Sequence, residues 1–536
     1  MKRFSLKPIL FFFILLIVFS CAKRGRIGGG EKDTTPPVIV RSIPENYSVN
    51  FDNKEIKIYF DEYVKLKDIQ KQLIISPPLK YDPIITPLGT PSKYITIKIQ
   101  DTLPENTTFT VNFGQSIVDN NEENPYPFFK YVFSTGDFID SLNVKGTIND
   151  AVKLKPEQFV SVMLYKIDST FSDSIIYKEK PTYITNTLDS INIFQIENLK
   201  AGKYLLMALK EETTNYIYNP KTDKIGFLKE YITVPTDSIY NIVLFNEELP
   251  VKAGKPKFKS LNKLAFGYEG DHKKMKINLL SDTPSHYKSL ITKQKDLDSL
   301  NYWFKPTFEQ DSLIFEVTDN LKYRDTFTVK LRKKLNDSLS FNGSRGDLRF
   351  YDHFKISANN PIVSYNKDLI KILDKDSSEV TYNDTFDELS NTLELSFEVK
   401  EQEKYKVTFL PEAMTDFFEN KNDTLAYNLT TRTYADYGNV RVRLKNAPDI
   451  PLIVQLTDEK GKVFYELPGK ANELFDFRYI NPSKYYLRVL FDENGNGKYD
   501  TGDFLKKIQP ERISYNSGQF DVRPNWDSEQ KFILKD

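Results

Sequence analysis

An all-β fold of several tandem sandwiches is predicted by three features of the chain. Short runs alternate apolar and polar residues, turn-forming clusters separate them, and one block of sequence returns at a fixed offset. Lys54-Glu55-Ile56-Lys57-Ile58-Tyr59-Phe60, Phe109-Thr110-Val111-Asn112-Phe113 and Tyr485-Tyr486-Leu487-Arg488-Val489-Leu490 have the period of two that half-buried strands require. Helical periodicity is scarce, and Asn, Asp, Gly and Pro clusters at short intervals argue for sandwiches rather than βαβ units. The chain is rich in ring side chains, with 39 Phe and 32 Tyr, which suit pleated, half-buried surfaces.

At 536 residues the chain exceeds what one hydrophobic core organises, roughly 250–300 residues, so several domains are expected. Lys+Arg and Asp+Glu are 74 each, which leaves no overall charge to draw the chain to nucleic acid.

The first element is the N-terminus. Met1-Lys2-Arg3, an apolar run from Ile9 to Phe19 and then Ser20-Cys21 have the layout of a secretory signal, with a run shorter than the ~20 residues a bilayer demands. Cys21 is the only cysteine, and Val18-Phe19-Ser20-Cys21 resembles the lipobox of a bacterial lipoprotein. The resemblance implies cleavage at the end of residues 1–21, lipidation of Cys21 and a chain held on a Gram-negative outer membrane, on its periplasmic or surface face. Residues 22–35 are small, polar and glycine-rich, and read as a flexible tether.

The next elements come in pairs. Phe109–Phe113 matches Tyr405-Lys406-Val407-Thr408-Phe409 at an offset of 296, and Tyr131, Thr135, Asp140, Asn143 and Val144 return as Tyr427, Thr431, Asp436, Asn439 and Val440. Lys203-Tyr204-Leu205-Leu206 likewise resembles Lys484-Tyr485-Tyr486-Leu487, and Phe227-Leu228-Lys229 resembles Phe504-Leu505-Lys506. The predicted order is module A at 36–138, module B at 140–250, a further β domain at 251–351, then A again at 352–434 and B again at 436–536.

Pro36-Pro37-Val38-Ile39, Ser42-Ile43-Pro44, Ile56 to Glu62 and Phe133-Ser134-Thr135-Gly136 resemble the bacterial Ig-like domain of S-layer type, common in lipoproteins of Bacteroidota. Val144-Lys145-Gly146-Thr147-Ile148 and Leu199-Lys200-Ala201-Gly202-Lys203-Tyr204 resemble the carboxypeptidase-regulatory, or prealbumin-like, sandwich. These resemblances imply tandem Ig-like and prealbumin-like sandwiches with scaffold or adhesion roles. A fold alone does not fix a function.

The sharpest local motif runs from Asp492 to Asp503, Asp-Glu-Asn-Gly-Asn-Gly-Lys-Tyr-Asp-Thr-Gly-Asp, with oxygen side chains at positions 1, 3, 5, 9 and 12 and glycine at 6. That is the spacing of an EF-hand calcium loop. It assigns Asp492, Asn494, Asn496 and Asp503 as side-chain ligands, Lys498 as a backbone ligand and Asp500 as a ligand directly or through water, for a weak, structural Ca²⁺. A hairpin turn without an ion is the alternative, since Asn-Gly is itself a turn signal. In the first module B, Glu211-Glu212-Thr213-Thr214 and an insertion replace the glycine-rich start, and that loop is expected to hold no ion.

Catalytic chemistry finds little support. The histidines are His272, His286 and His353, none in ligand spacing, and no phosphate-cradling loop or serine elbow occurs. The expectation is a non-catalytic envelope scaffold or interaction protein, with an envelope protein or polysaccharide as partner. The alternative is a carbohydrate-binding or substrate-capturing lipoprotein beside a transporter, for which Tyr302-Trp303 and Trp526 are the aromatic platform candidates. Asp-Ser/Thr pairs such as those at Thr102, Ser174 and Thr424 resemble the O-glycosylation acceptors of Bacteroidota. Lys252, Lys255, Lys257, Lys259 and Lys263 read as a solvated linker.

Overall fold

The computed structural model describes residues 32–187, 192–319, 321–332, 335 and 337–534, apart from the Ser517 side chain. The signal segment and Cys21 lie outside the described residues. The fold is all-β, and its longest α-helix among the described residues is the single turn Ile69–Gln72. Two compact units follow one another, divided between Asp140 and Ser141.

The first unit is one sandwich. One sheet orders Ile39–Ile43, Glu55–Leu66, Ser92–Lys98 and Ile84–Thr86, and the other orders Ile74–Ser76, Thr108–Asn112 and Lys130–Ser134. Ile56, Ile58 and Phe60 point inward from alternate positions and meet Phe109, Val111, Tyr131 and Phe133 from the facing sheet. Asp119 is 2% exposed, and its carboxylate accepts the backbone N–H groups of Asn121, Glu122, Glu123 and Asn124, folding the loop behind it.

The same plan returns in the second unit. Phe341–Gly343, Phe354–Ala358, Thr392–Ser396 and Asn383–Asp387 form one sheet in the corresponding order, and Ile370–Leu373, Lys404–Phe409 and Leu425–Thr430 form the other. The repeat extends to strand register, since Val111 pairs with Tyr131 and Val407 with Tyr427, both displaced by 296. Asp416, fully buried, stands for Asp119 and accepts from Phe418 N, Asn420 N and the Asn360 side chain. One boundary requires correction. Phe341–Gly343 and Leu348 belong to this second Ig-like module, which therefore begins before residue 352.

The two B modules also share strand order. Tyr183–Asn186, Ser161–Lys166, Gly202–Lys210 and Lys224–Phe227 in one correspond to Val463–Gly469, Leu452–Thr457, Ser483–Phe491 and Ile513–Val522 in the other. Each second sheet contains a parallel pair, Leu142–Asp150 with Ile239–Leu244 and Gly438–Lys445 with Asp527–Ile533. A buried tyrosine anchors each, Tyr204 donating to Lys200 O at 2.9 Å and Tyr485 to Asn481 O at 2.8 Å. The middle module has its own core, from Val251 to Val329.

Candidate functional site

The loop joining Ser483–Phe491 to Ile513–Val522 carries the oxygen-rich motif. Asp492 is 3% exposed at its root, and its carboxylate accepts from Asn496 N at 3.0 Å and Gly497 N at 2.8 Å. Gly495 and Gly497 hold φ of 71° and 77°, the left-handed region that side chains resist. The turn thus needs glycine for its backbone.

Asn494 and Asn496 both donate their side-chain amides to Asp500 Oδ2, and Lys498 Nζ lies 3.5 Å from Asp500 Oδ1. These bonds, led by the one from Asn494, hold the Asp500 carboxyl below its ordinary range. Asp503 does not join them. Its carboxylate turns to Lys506, accepting from that residue's backbone N at 3.0 Å and from Nζ at 2.7 Å. A tight turn bridges Asp503 to Ile508, and in it the predicted ligand Asp503 is engaged by Lys506 and not by the cluster of Asn494, Asn496 and Asp500.

In its place stands Glu511, a residue the EF-hand spacing misses. It is 8% exposed and accepts from Glu493 N at 3.0 Å and Asp500 N at 2.9 Å, so it staples the two ends of the loop. Burial raises its carboxyl, and the Asp500 and Asp492 charges beside it add to the rise. No local spacing rule reaches across the intervening turn. Among the described residues, no group of three or more His, Cys, Asp and Glu side chains is already arranged around a metal position. The Asn494 and Asn496 Oδ1 atoms meanwhile accept from Asn496 N and Lys498 N, each at 3.0 Å.

Residues 499–509 do something no motif foretold, inserting into the first B module. Phe504 is fully buried, 5.1 Å from the Phe227 ring in an edge-on contact, and Lys507 Nζ sits 4.1 Å over the Phe504 ring. Lys507 also pairs with Asp173 at 2.6 Å, Gln509 Nε2 donates to Phe227 O at 2.9 Å, and Thr501 donates to Asn246 O. Gly502 packs so tightly that a Cβ would lie 2.6 Å from Phe245 Cζ. Arg488, 7% exposed, donates to Gln455 Oε1 at 2.7 Å and to Val152 O at 3.0 Å, and Tyr515 donates to Val152 O. The Phe227 and Phe504 triplets, read as a repeat, are therefore not equivalents. Phe227 ends a strand paired to Met207, whereas Phe504 lies in the inserted turn that presses on it.

The first module's counterpart of Asp492 is Glu211, immediately after Gly202–Lys210. Burial pushes its carboxyl up to about 7, despite bonds from Tyr216 N and Ser161 Oγ.

The platform candidates divide. Tyr302 and Trp303 are 4% and 2% exposed, which rules them out as a sugar-stacking surface, whereas Trp526 is 60% exposed with Arg523 5.4 Å from its ring. Thr102, Ser174 and Thr424 are all exposed.

Residues 33–135 match the family model of the bacterial Ig-like domain. No curated protein matches the sequence. Among solved structures, an S-layer protein, rSbsC(31-844), aligns over 90% of this chain and 67% of its own, at 12% identity and a TM-score of 0.16. SGBP-B of the Bacteroides ovatus mixed-linkage glucan utilization locus, solved with a mixed-linkage heptasaccharide, aligns over 83% and 99%, at 10% identity and a TM-score of 0.18.

Proposed function

We propose that this chain is a non-catalytic envelope scaffold, tethered to an outer membrane by lipid on Cys21, that presents its modules to an envelope protein or polysaccharide. One observation carries the reading. The modules of the second unit are fixed to one another by specific contacts: Phe504 in the first prealbumin-like module, Trp303 against Phe418, and Arg349 over Tyr465. Flexible strings of domains do not need such seams, since inter-domain motion is the default where interfaces are small. No helix among the described residues is long and apolar enough to cross a membrane.

Two experiments test this. Cys21→Ser is expected to move the protein from the membrane fraction to the soluble fraction; unchanged fractionation contradicts the anchor. Cross-linking of the anchored chain in cells, followed by affinity capture, is expected to return one recurrent envelope component. Recovery of the uncross-linked chain alone contradicts the scaffold.

The reading includes weak, structural calcium at the 492–511 loop, supported by its oxygen-rich, glycine-turned chemistry and by Glu511. A ligand preferring the folded state adds RT ln(1 + [L]/Kd), about 1.4 kcal/mol at ~1 mM Ca²⁺ and a Kd of ~10⁻⁴ M. Calorimetry of the full chain is expected to show a small upward shift of melting temperature with Ca²⁺, abolished in Asp492→Ala and reduced in Glu511→Gln. Identical melting of the unmutated chain in calcium and in chelator contradicts it and leaves a bare turn.

A further inference from the structure

The middle module and the second Ig-like module enclose a cleft of about 780 Å³. Its origin lies in the alternation of Ser299–Lys305. Leu300, Tyr302 and Phe304 enter the middle module's own core, leaving Asn301 and Trp303 on the opposite face. Trp303 is covered by Phe418 of the neighbouring module at 6.2 Å, while Lys305 pairs with Glu419 at 2.9 Å and Lys293 N donates to Leu389 O at 2.6 Å. Those contacts hold the walls together on one side. On the other, the cross-strand partners of Asn301 and Ser299 are Ala265 and Gly267. Both are small, and a Cβ on Gly267 would meet nothing closer than Asp298 O at 3.9 Å.

The chemistry of the lining is one-sided. Lys263, Lys293, Lys295 and Lys355 border the cleft against one acidic residue, Asp296. Lys355 is taken up by Glu394 at 2.7 Å. Among the described residues Lys263, Lys293 and Lys295 make no ion pair. Lys263 Nζ stands 4.5 Å from the Trp303 ring centroid, and burial lowers its pKa against the opposing pull of the Asp337 carboxylate. The lysine run read as a solvated linker thus ends in a half-buried residue facing this cleft. A second observation is independent of charge. Asn301 is 7% exposed and its Oδ1 has no hydrogen-bond partner, a costly state for a buried acceptor.

We propose that this cleft binds an acidic saccharide, whose carboxylate or sulfate lies against Lys263, Lys293 and Lys295 and whose hydroxyl donates to Asn301 Oδ1. A fully deprotonated anion such as sulfate would satisfy the lysines but offers Asn301 no proton. An apolar ligand would leave both unmet. A hydroxylated, anionic chain meets both, and the volume lies within the range of small-ligand sites, roughly 300–1,000 Å³. This goes beyond the scaffold reading and does not depend on it, since it concerns a cleft far in sequence from the calcium-type loop.

The test is calorimetric titration of the full chain with polygalacturonate, dextran sulfate, neutral dextran and a single-stranded DNA oligonucleotide. The acidic polysaccharides are expected to bind with salt-dependent affinity and neutral dextran at least tenfold more weakly. Lys293→Ala/Lys295→Ala, both at the rim, is expected to lose at least tenfold with unchanged melting temperature, and Asn301→Leu to lose affinity while still folding. Lys445→Ala/Lys531→Ala, on the exposed sheet of the C-terminal module, is the control expected to bind like the parent. Failure of both acidic polysaccharides to bind overturns the proposal. So does equal loss in the control pair, undiminished binding in the cleft variants, or tighter binding of DNA than of either polysaccharide.

Discussion

Replacing Phe504 by alanine is expected to destabilise the second unit by about 3–5 kcal/mol, the usual cost of emptying a fully buried phenylalanine site. The ring is wholly enclosed, with Phe227 on one side and the Lys507 ammonium over its face, so its loss leaves a cavity between two modules rather than within one. Calorimetry is therefore expected to show the melting of the two B modules separating into two transitions. Leu505→Ala, next in sequence but 57% exposed, is expected to change stability by no more than about 0.5 kcal/mol. Equal effects of the two substitutions contradict the role given to Phe504.

The second large effect is a pH dependence at Glu211. Burial, with Asp223 nearby, holds its carboxyl at about 7 in the folded chain against an ordinary value of 4.5. A raised folded pKa means the folded state keeps a proton that the unfolded state releases. The stabilisation is complete below about pH 4.5, declines as pH rises, and is lost once pH passes about 7. The shift corresponds to an upper bound on the order of 3 kcal/mol, reduced by the group's partial exposure to water. Glu211→Gln, which cannot ionise, is expected to flatten the stability profile between those limits and to be the more stable form at pH 8. A parallel pair of profiles for parent and variant contradicts this.

Much of the fold was legible because strand registers recur with the sequence. Val111 and Tyr131 announce the pairing of Val407 and Tyr427, and Tyr204 announces the anchor made by Tyr485. What the chain concealed were contacts between distant segments. Glu511 follows Asp492 across a further turn, beyond the last position of the EF-hand spacing, so that template does not reach it. Phe504 copies the flanking residues of Phe227 without copying its place, because a hydrophobic residue that plugs a neighbouring module obeys that module's surface and not its own strand period. Trp303 looked available for stacking because period-two alternation places a side chain on one face of a sheet and cannot say whether another module covers that face. Lys263 looked solvated for the same reason.

Rigidity of the second unit is the premise of the scaffold reading, and the distance between its two B modules tests it most directly. In a Cys21→Ser background, spin labels at the exposed Lys166 and Lys484 positions, one in each module, are read by pulsed electron–electron double resonance. A single narrow distance distribution in the unmutated interface, broadening in Phe504→Ala, is the predicted result; a broad distribution before any interface substitution would contradict the account.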